Sequence, residues 1–175
     1  MNVSRLVGVC FGFLVGIIIV ILFSKKANTN GKIKTEYDER QKVVRGQSFK
    51  YGYYTYIILL AIMMLTSMSG IEFPVENAVM YFALLSIGAI VTCVHSILND
   101  AYMGLNNNIK SWIILLIVAT IINYAASVAA WIDGRMIVDG KLSTPFINFL
   151  CGVMITIIGI VGFIKISGKN KESEE

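Results

Sequence analysis

Few side chains in this 175-residue chain could do chemistry, and those that could are one histidine and scattered uncharged polar residues within long apolar segments. Asn99 follows His95 by one helical turn, and Asp100 is the next residue, so the spacing predicts a small polar patch at the end of a helix. Asn123 is a single amide in the middle of another apolar segment. A zinc site needs at least three protein ligands, and the apolar segments contain neither a second histidine nor any Asp or Glu. The residue types therefore predict no catalytic, metal-binding or cofactor-binding residue.

Three roles remain open for this candidate polar site. In the first, His95 caps or anchors a helix at the membrane interface. In the second it is a gate or pH sensor, and in the third it is the centre of an intramembrane enzyme. Asn123 either bonds a neighbouring helix or lines a passive solute path with the threonines at 92, 120 and 156. An ion-coupled pump is disfavoured, because such carriers place carboxylates within the membrane.

The composition explains why so little chemistry is present. Hydrophobic residues make up 56% of the chain, charged residues 15%, and the mean hydropathy is +0.71. Soluble domains carry roughly 25% charged residues, so the composition excludes a soluble enzyme, a disulfide-stapled secreted domain and a disordered tail. One bilayer crossing takes roughly 20 apolar residues. We therefore expect an all-α polytopic membrane bundle, a single membrane domain over residues 1–175 with five transmembrane helices at about 6–23, 51–69, 78–98, 112–132 and 146–166.

The distribution of Lys and Arg predicts the orientation of these helices. Eight of them lie in the loop 24–50, one in the loop after the third segment and three from Lys165 into the tail 167–175, against three on the other side. Basic loops resist translocation. The imbalance of twelve to three therefore predicts an outer N-terminus and a cytoplasmic C-terminus in a plasma membrane.

Glycines predict how the helices pack. Gly8, Gly12 and Gly16 follow at four-residue steps and so share one helix face, which favours close packing on another helix or on a second copy. Glycines at 152, 159 and 162 in the last segment predict a similar face, which we expect to meet Gly or Ala of another helix.

The basic loop contains its own helix signal. Thr35 is the expected cap of a helix over 36–47 that either lies on the membrane surface or leads into the second segment, with Glu36 and Asp38 paired to bases four residues later. Its bases predict a docking surface for an acidic partner or anionic lipid head groups; the alternative is that they only set topology. The docking candidates are Arg40, Lys42, Arg45 and Lys50.

The stretch Tyr37-Asp38-Glu39-Arg40-Gln41, continued as far as Gly52, resembles a segment of small uncharacterised integral membrane proteins of Gram-positive bacteria and some archaea. In them a similar Asp-Glu-Arg-Gln segment precedes a helix that opens with Tyr and Phe. The resemblance covers about 20 of the 175 residues. It implies a bacterial plasma membrane and a surface helix whose acid and base pattern matters, and it brings no mechanism.

Our leading hypothesis is a non-enzymatic accessory or regulatory subunit acting through helix packing and the basic cytoplasmic helix. Its expected partners are anionic lipid head groups of the inner leaflet and a second copy or another membrane protein, with no nucleic acid and no cofactor. The alternatives are a passive channel or facilitator for a small solute, and a membrane enzyme that uses His95.

Overall fold

A computed structural model describes residues 11, 14, 17, 18, 21, 22, 25 and 27–172, without the side chains of 169–172. In this part of the chain four long helices and one short hairpin follow in order: α1 (Glu39–Met68), α2 (Asn77–Leu98), α3 (Ile109–Ile132), β1 (Ile137–Val138), β2 (Lys141–Leu142) and α4 (Phe146–Glu172). All four helices are long and apolar enough to cross a membrane, α4 as far as Gly168. The prediction of an all-helical chain with helices of membrane-spanning length and composition is therefore confirmed.

The helix nearest the N-terminus is described only in part. The positions described within the predicted segment 6–23 are helical. Gly8, Gly12 and Gly16, the predicted packing face, lie outside the described residues.

The start of α1 differs from the prediction. The helix begins after Asp38, whose carboxylate accepts the backbone N–H of Gln41 at 2.6 Å while the Gln41 side chain accepts the N–H of Asp38 at 3.3 Å. Thr35 is not the cap, because such a reciprocal pair needs Glu or Gln three residues on, and Asp38 has Gln41 there whereas Thr35 has only Asp38. The expected surface helix and the predicted crossing 51–69 are thus one helix of 30 residues. The ion pairs differ too: Glu36 binds Lys32 at 3.3 Å and Glu39 binds Lys42 at 2.6 Å.

The helices pack as a chain of neighbours, α1 on α2, α2 on α4 and α4 on α3. The backbones of α1 and α2 approach closely at Gly52 and Gly88, where a Cβ on Gly52 would meet the side chain of Thr92 and lie 2.7 Å from the carbonyl oxygen of Gly88. We expected small residues of another helix to cover the glycines of α4, and this is wrong for Gly152 and Gly162. The ring of Tyr124 covers Gly152 and the ring of Trp112 covers Gly162, because an aromatic ring fills the space that the missing side chain leaves.

The connections gather at two ends of the bundle. At one, which we call the hairpin end, β1 and β2 pair through Asp139 and Gly140, both with positive φ, as a type I′ turn requires. The Glu76 carboxylate there accepts bonds from the backbone N–H and hydroxyl of Thr144 at 2.8 and 2.7 Å, which joins the loop before α2 to the loop before α4. At the other end, residues 27–38 contact residues 99–108.

Candidate functional site at the basic end of the bundle

Residues 27–38 and 99–108 form one hydrogen-bonded unit, which we call the basic-end cap. Asn106 is its centre: its side-chain oxygen accepts the backbone N–H of Glu36 at 2.8 Å, and its amide donates to the carbonyl of Lys34 at 3.1 Å. Asn107 donates to the side chain of Asn28 at 2.6 Å. Backbone bonds join the two segments as well, from Thr29 to Asn106, from Leu105 to Glu36 and from Asn108 to Ala27. The cap is held by asparagine side chains, which can donate and accept at once.

Gln41 fixes α1 to this cap. Its side-chain amide donates to the carbonyl oxygens of Asp100 at 2.9 Å and Met103 at 3.0 Å, while its oxygen completes the helix start at Asp38. The side chain is only 7% exposed. One glutamine therefore links the start of α1 to the loop that follows α2.

The four predicted docking bases have separate roles. Arg40 donates to the carbonyl of Asn99 at 3.3 Å, and Arg45 to that of Ala101 at 3.4 Å. The Arg45 guanidinium also lies 4.2 Å from the centre of the Tyr37 ring. Lys42 pairs with Glu39, and Lys50 lies 5.7 Å from the Tyr54 ring. The arginines are thus partly occupied within the protein, and the lysines face outwards.

His95 contacts α1 through Ser48. Its Nδ1 lies 2.8 Å from the Ser48 hydroxyl, which also donates to the carbonyl of Val44 at 2.8 Å. Since a hydroxyl has one hydrogen, Ser48 accepts from a protonated Nδ1 in this arrangement. Ser48 is 0% exposed, and the Tyr51 ring packs edge-on against the imidazole with 4.8 Å between centroids. A serine without access to a substrate acts here as a contact between α1 and α2.

The link between Ser48 and His95 predicts a coupled stability effect. We expect Ser48→Ala to lower the free energy of unfolding by about 1 kcal/mol, the net value of one hydrogen bond. In a double-mutant cycle with His95→Ala the two losses should be less than additive, because either change removes the same bond. Strictly additive losses in detergent unfolding would show that the pair contributes nothing together.

The other candidate polar residues are divided between two places. Asn99 donates to the carbonyl of His95 at 2.9 Å, and Asp100 pairs with Lys165 of α4 at 3.3 Å, so both belong to the basic end. Asn123 lies roughly 21 Å along α3 from Ile109, at 1.5 Å per residue. Its amide donates to the carbonyl of Ala119 in its own helix at 2.8 Å. The structure therefore brings His95, Asn99 and Asp100 together and leaves Asn123 apart.

Most polar side chains within the spanning helices bond to their own helix. Each donates to the carbonyl four residues earlier, as seen for Ser86, Thr92, Asn123, Ser127 and Thr156. Among the residues that the structure describes, no three His, Cys, Asp or Glu side chains come together as metal ligands.

Sequence reasoning missed the two features that organise the basic end. The asparagines at 106–108 did carry a signal, since a run of Asn is typical of turns and helix caps, and Asn108 caps α3. The α1–α2 contact also had a signal, since Ser48 and Gly52, and Gly88 and Thr92, are both small residues four apart.

Comparison of the chain with protein-family models, with curated proteins and with solved structures gives no match.

Proposed function

We propose that this chain is a non-enzymatic integral protein of a bacterial plasma membrane that acts as an accessory or regulatory subunit. In this proposal the chain crosses the membrane five times, with its N-terminus outside and its C-terminus in the cytoplasm. Its docking surface is the exposed part of the basic end, and its partner is a membrane protein with an acidic juxtamembrane segment or a second copy of this chain.

The observation that carries the proposal is the set of lysines left exposed by the basic-end cap. Lys34, Lys50 and Lys110 are exposed, and none is within ion-pair distance of a carboxylate among the described residues. Arg40 and Arg45 donate to the loop beneath, which holds the segment that carries Lys34 and Lys50 against the bundle. Exposed lysines on a segment that is fixed to the bundle favour recognition of an acidic partner over the alternative that these lysines only set the orientation of the helices.

The orientation is supported by the charges at the two ends. The hairpin end carries Arg135 and Lys141, and Arg135 is paired with Asp133 at 2.7 Å. The basic end carries most of the other described Lys and Arg residues. Basic segments stay on the cytoplasmic side, so the basic end is the cytoplasmic end in our proposal.

The two alternatives find less support in the geometry. A passive solute path needs its polar residues along one passage, but Thr92 lies between α1 and α2, whereas Thr120 and Thr156 border a groove between α3 and α4. An enzyme centred on His95 needs a reachable partner group, and Ser48 is fully buried.

Site-directed cross-linking in cells, followed by affinity capture in mild detergent, tests the proposal. A photoreactive residue in place of Lys34 or Lys110 should trap one defined membrane protein or a second copy, and the same residue in place of Lys141 should not. With the photoreactive residue in place of Lys34, charge reversal by Lys110→Glu should abolish the cross-link, while Lys141→Glu leaves it intact. A monomeric protein with no cross-link at the basic end would refute the proposal.

A further inference from the structure

Three cavities adjoin one another around Trp112, at the point where the basic-end cap meets the membrane-spanning part of α3. A polar cavity of about 280 Å³ lies between Arg45 of α1 and Asn108 at the start of α3. An apolar cavity of about 290 Å³ lies beside it, reaching Ile97 of α2 and Gly162 of α4. An apolar groove of about 330 Å³ continues between α3 and α4. Trp112 lines all three.

The polar cavity offers hydrogen-bond donors and one cation. Arg45 makes a single long bond to a carbonyl, and among the described residues no carboxylate pairs with it. Asn108 uses its side-chain oxygen to cap α3, which leaves its amide hydrogens available. Burial raises the pKa of the Tyr102 phenol on the cavity wall, so this hydroxyl stays neutral. Among the described residues that line the cavity there is no Asp or Glu, and the set of groups suits an anion.

One carboxylate beside the neighbouring apolar cavity is already paired with a base. Asp100 borders the apolar cavity, not the polar one, and pairs with Lys165, which lines the same apolar cavity. Repulsion between Asp100 and an anion beside Arg45 is therefore reduced.

The groove between α3 and α4 is lined almost entirely by aliphatic and aromatic side chains. On α3 it extends from Trp112 to Ile121, about 14 Å at 1.5 Å per residue. This is about half of the ~30 Å hydrocarbon core, the depth of one leaflet. Its floor includes Gly159, where the missing side chain keeps the groove open.

We propose that these cavities bind one anionic phospholipid, with its phosphate at Arg45 and Asn108 and one acyl chain in the groove between α3 and α4. Charge complementarity identifies the head group, and the apolar groove of single-leaflet depth identifies the chain. The proposal does not depend on any protein partner, so it stands or falls separately from the subunit function.

Fluorescence quenching in bilayers tests this lipid site directly. Trp131→Phe leaves Trp112 as the single tryptophan, because the chain has two. The protein is reconstituted into phosphatidylcholine bilayers that contain a small fraction of acyl-brominated phosphatidylglycerol or of acyl-brominated phosphatidylcholine. We expect the anionic lipid to occupy the site at roughly fivefold lower mole fraction, the factor for one favourable basic contact. Equal quenching by the two lipids would overturn the proposal.

Three variants separate a defined site from general surface charge. Arg45→Gln should abolish the preference for the anionic lipid. Lys110→Gln removes the same charge next to the cavity but outside its lining, and should keep the preference. Gly159→Leu should reduce quenching by filling the groove, since a Cβ there meets only Leu116 at an ordinary 3.8 Å.

Circular dichroism establishes which variants fold. If Arg45→Gln does not fold, Gly159→Leu decides, since undiminished quenching by the anionic lipid in that variant would contradict the proposal. Loss of the preference in Lys110→Gln to the same extent as in Arg45→Gln would also contradict it.

Discussion

Gln41→Leu is expected to lower the free energy of unfolding by about 3 kcal/mol, because the leucine cannot donate to the two carbonyl oxygens that now share the Gln41 amide and cannot complete the helix start. The cost arises from the burial of Gln41, which is only 7% exposed, because a leucine there leaves two backbone acceptors without their donor. The change should also release the loop from α1, so the carbonyls of Asp100 and Met103 should lose their contact with α1. Unfolding in mixed micelles measures the free energy, and limited proteolysis reports on residues 99–108.

The same helix provides the control. Gln47 is exposed and has no side-chain hydrogen bond in the described structure, so Gln47→Leu should leave both stability and proteolysis unchanged within about 0.5 kcal/mol. Equal effects of the two substitutions would show that any leucine introduced on α1 lowers the stability, and that the hydrogen bonds of Gln41 to the cap are not the cause.

Gly52→Ala is expected to lower the free energy of unfolding by about 2 kcal/mol, the usual cost of overpacking. The added methyl group would collide with the Thr92 side chain and lie 2.7 Å from the backbone oxygen of Gly88. A backbone atom cannot move aside as a flexible side chain does, so α1 and α2 must separate and lose packing along their contact. Unfolding in detergent, followed by the helical circular dichroism signal, measures the loss.

Gly46→Ala is the matched control for Gly52. Gly46 lies in α1 too, and nothing lies within 4 Å of a Cβ built there. Alanine favours the helix over glycine, so Gly46→Ala should be neutral or stabilising by about 0.5–1 kcal/mol. A destabilised Gly46→Ala, or a neutral Gly52→Ala, would argue against the close approach of α1 and α2.

The helices were predictable to the extent that hydropathy determines them. The segments 78–98 and 112–132 match α2 and α3 to within three residues, because an uninterrupted apolar run in lipid must satisfy its backbone as a helix. How the first segment, 6–23, packs on the bundle stays a prediction, because its glycines lie outside the described residues. The start of α1 was misplaced, since polar residues on both sides of Asp38 give hydropathy no boundary to detect.

The basic-end cap was not predictable from local pattern. Asn106 bonds residues some 70 positions earlier, and nothing in the sequence around either segment specifies that pairing. Gln41 is similar, because its role in the helix start follows from its spacing to Asp38 whereas its bonds to residues 100 and 103 depend on how α1 and α2 cross. The lipid site could not be inferred either, since Arg45, Asn108 and Trp112 share a cavity only after folding.

The hairpin end contained a signal that we did not use. Asp139-Gly140 between Val138 and Lys141 is the typical sequence of a two-residue β-hairpin turn. The hairpin leads into the loop before α4, where Thr144 bonds Glu76 at the start of α2, and this contact defines the end of the bundle opposite the cap.

The central claim is that the basic, capped end of the bundle faces the cytoplasm, and cysteine labelling in intact cells tests it most directly. With the three native cysteines replaced by alanine, single cysteines are placed at Lys34 of the cap or at Lys141 of the hairpin, both of which are exposed. The account predicts that a membrane-impermeant maleimide labels the Lys141→Cys variant in intact cells and the Lys34→Cys variant only after the membrane is opened. Labelling of Lys34→Cys in intact cells, with Lys141→Cys protected, would contradict it.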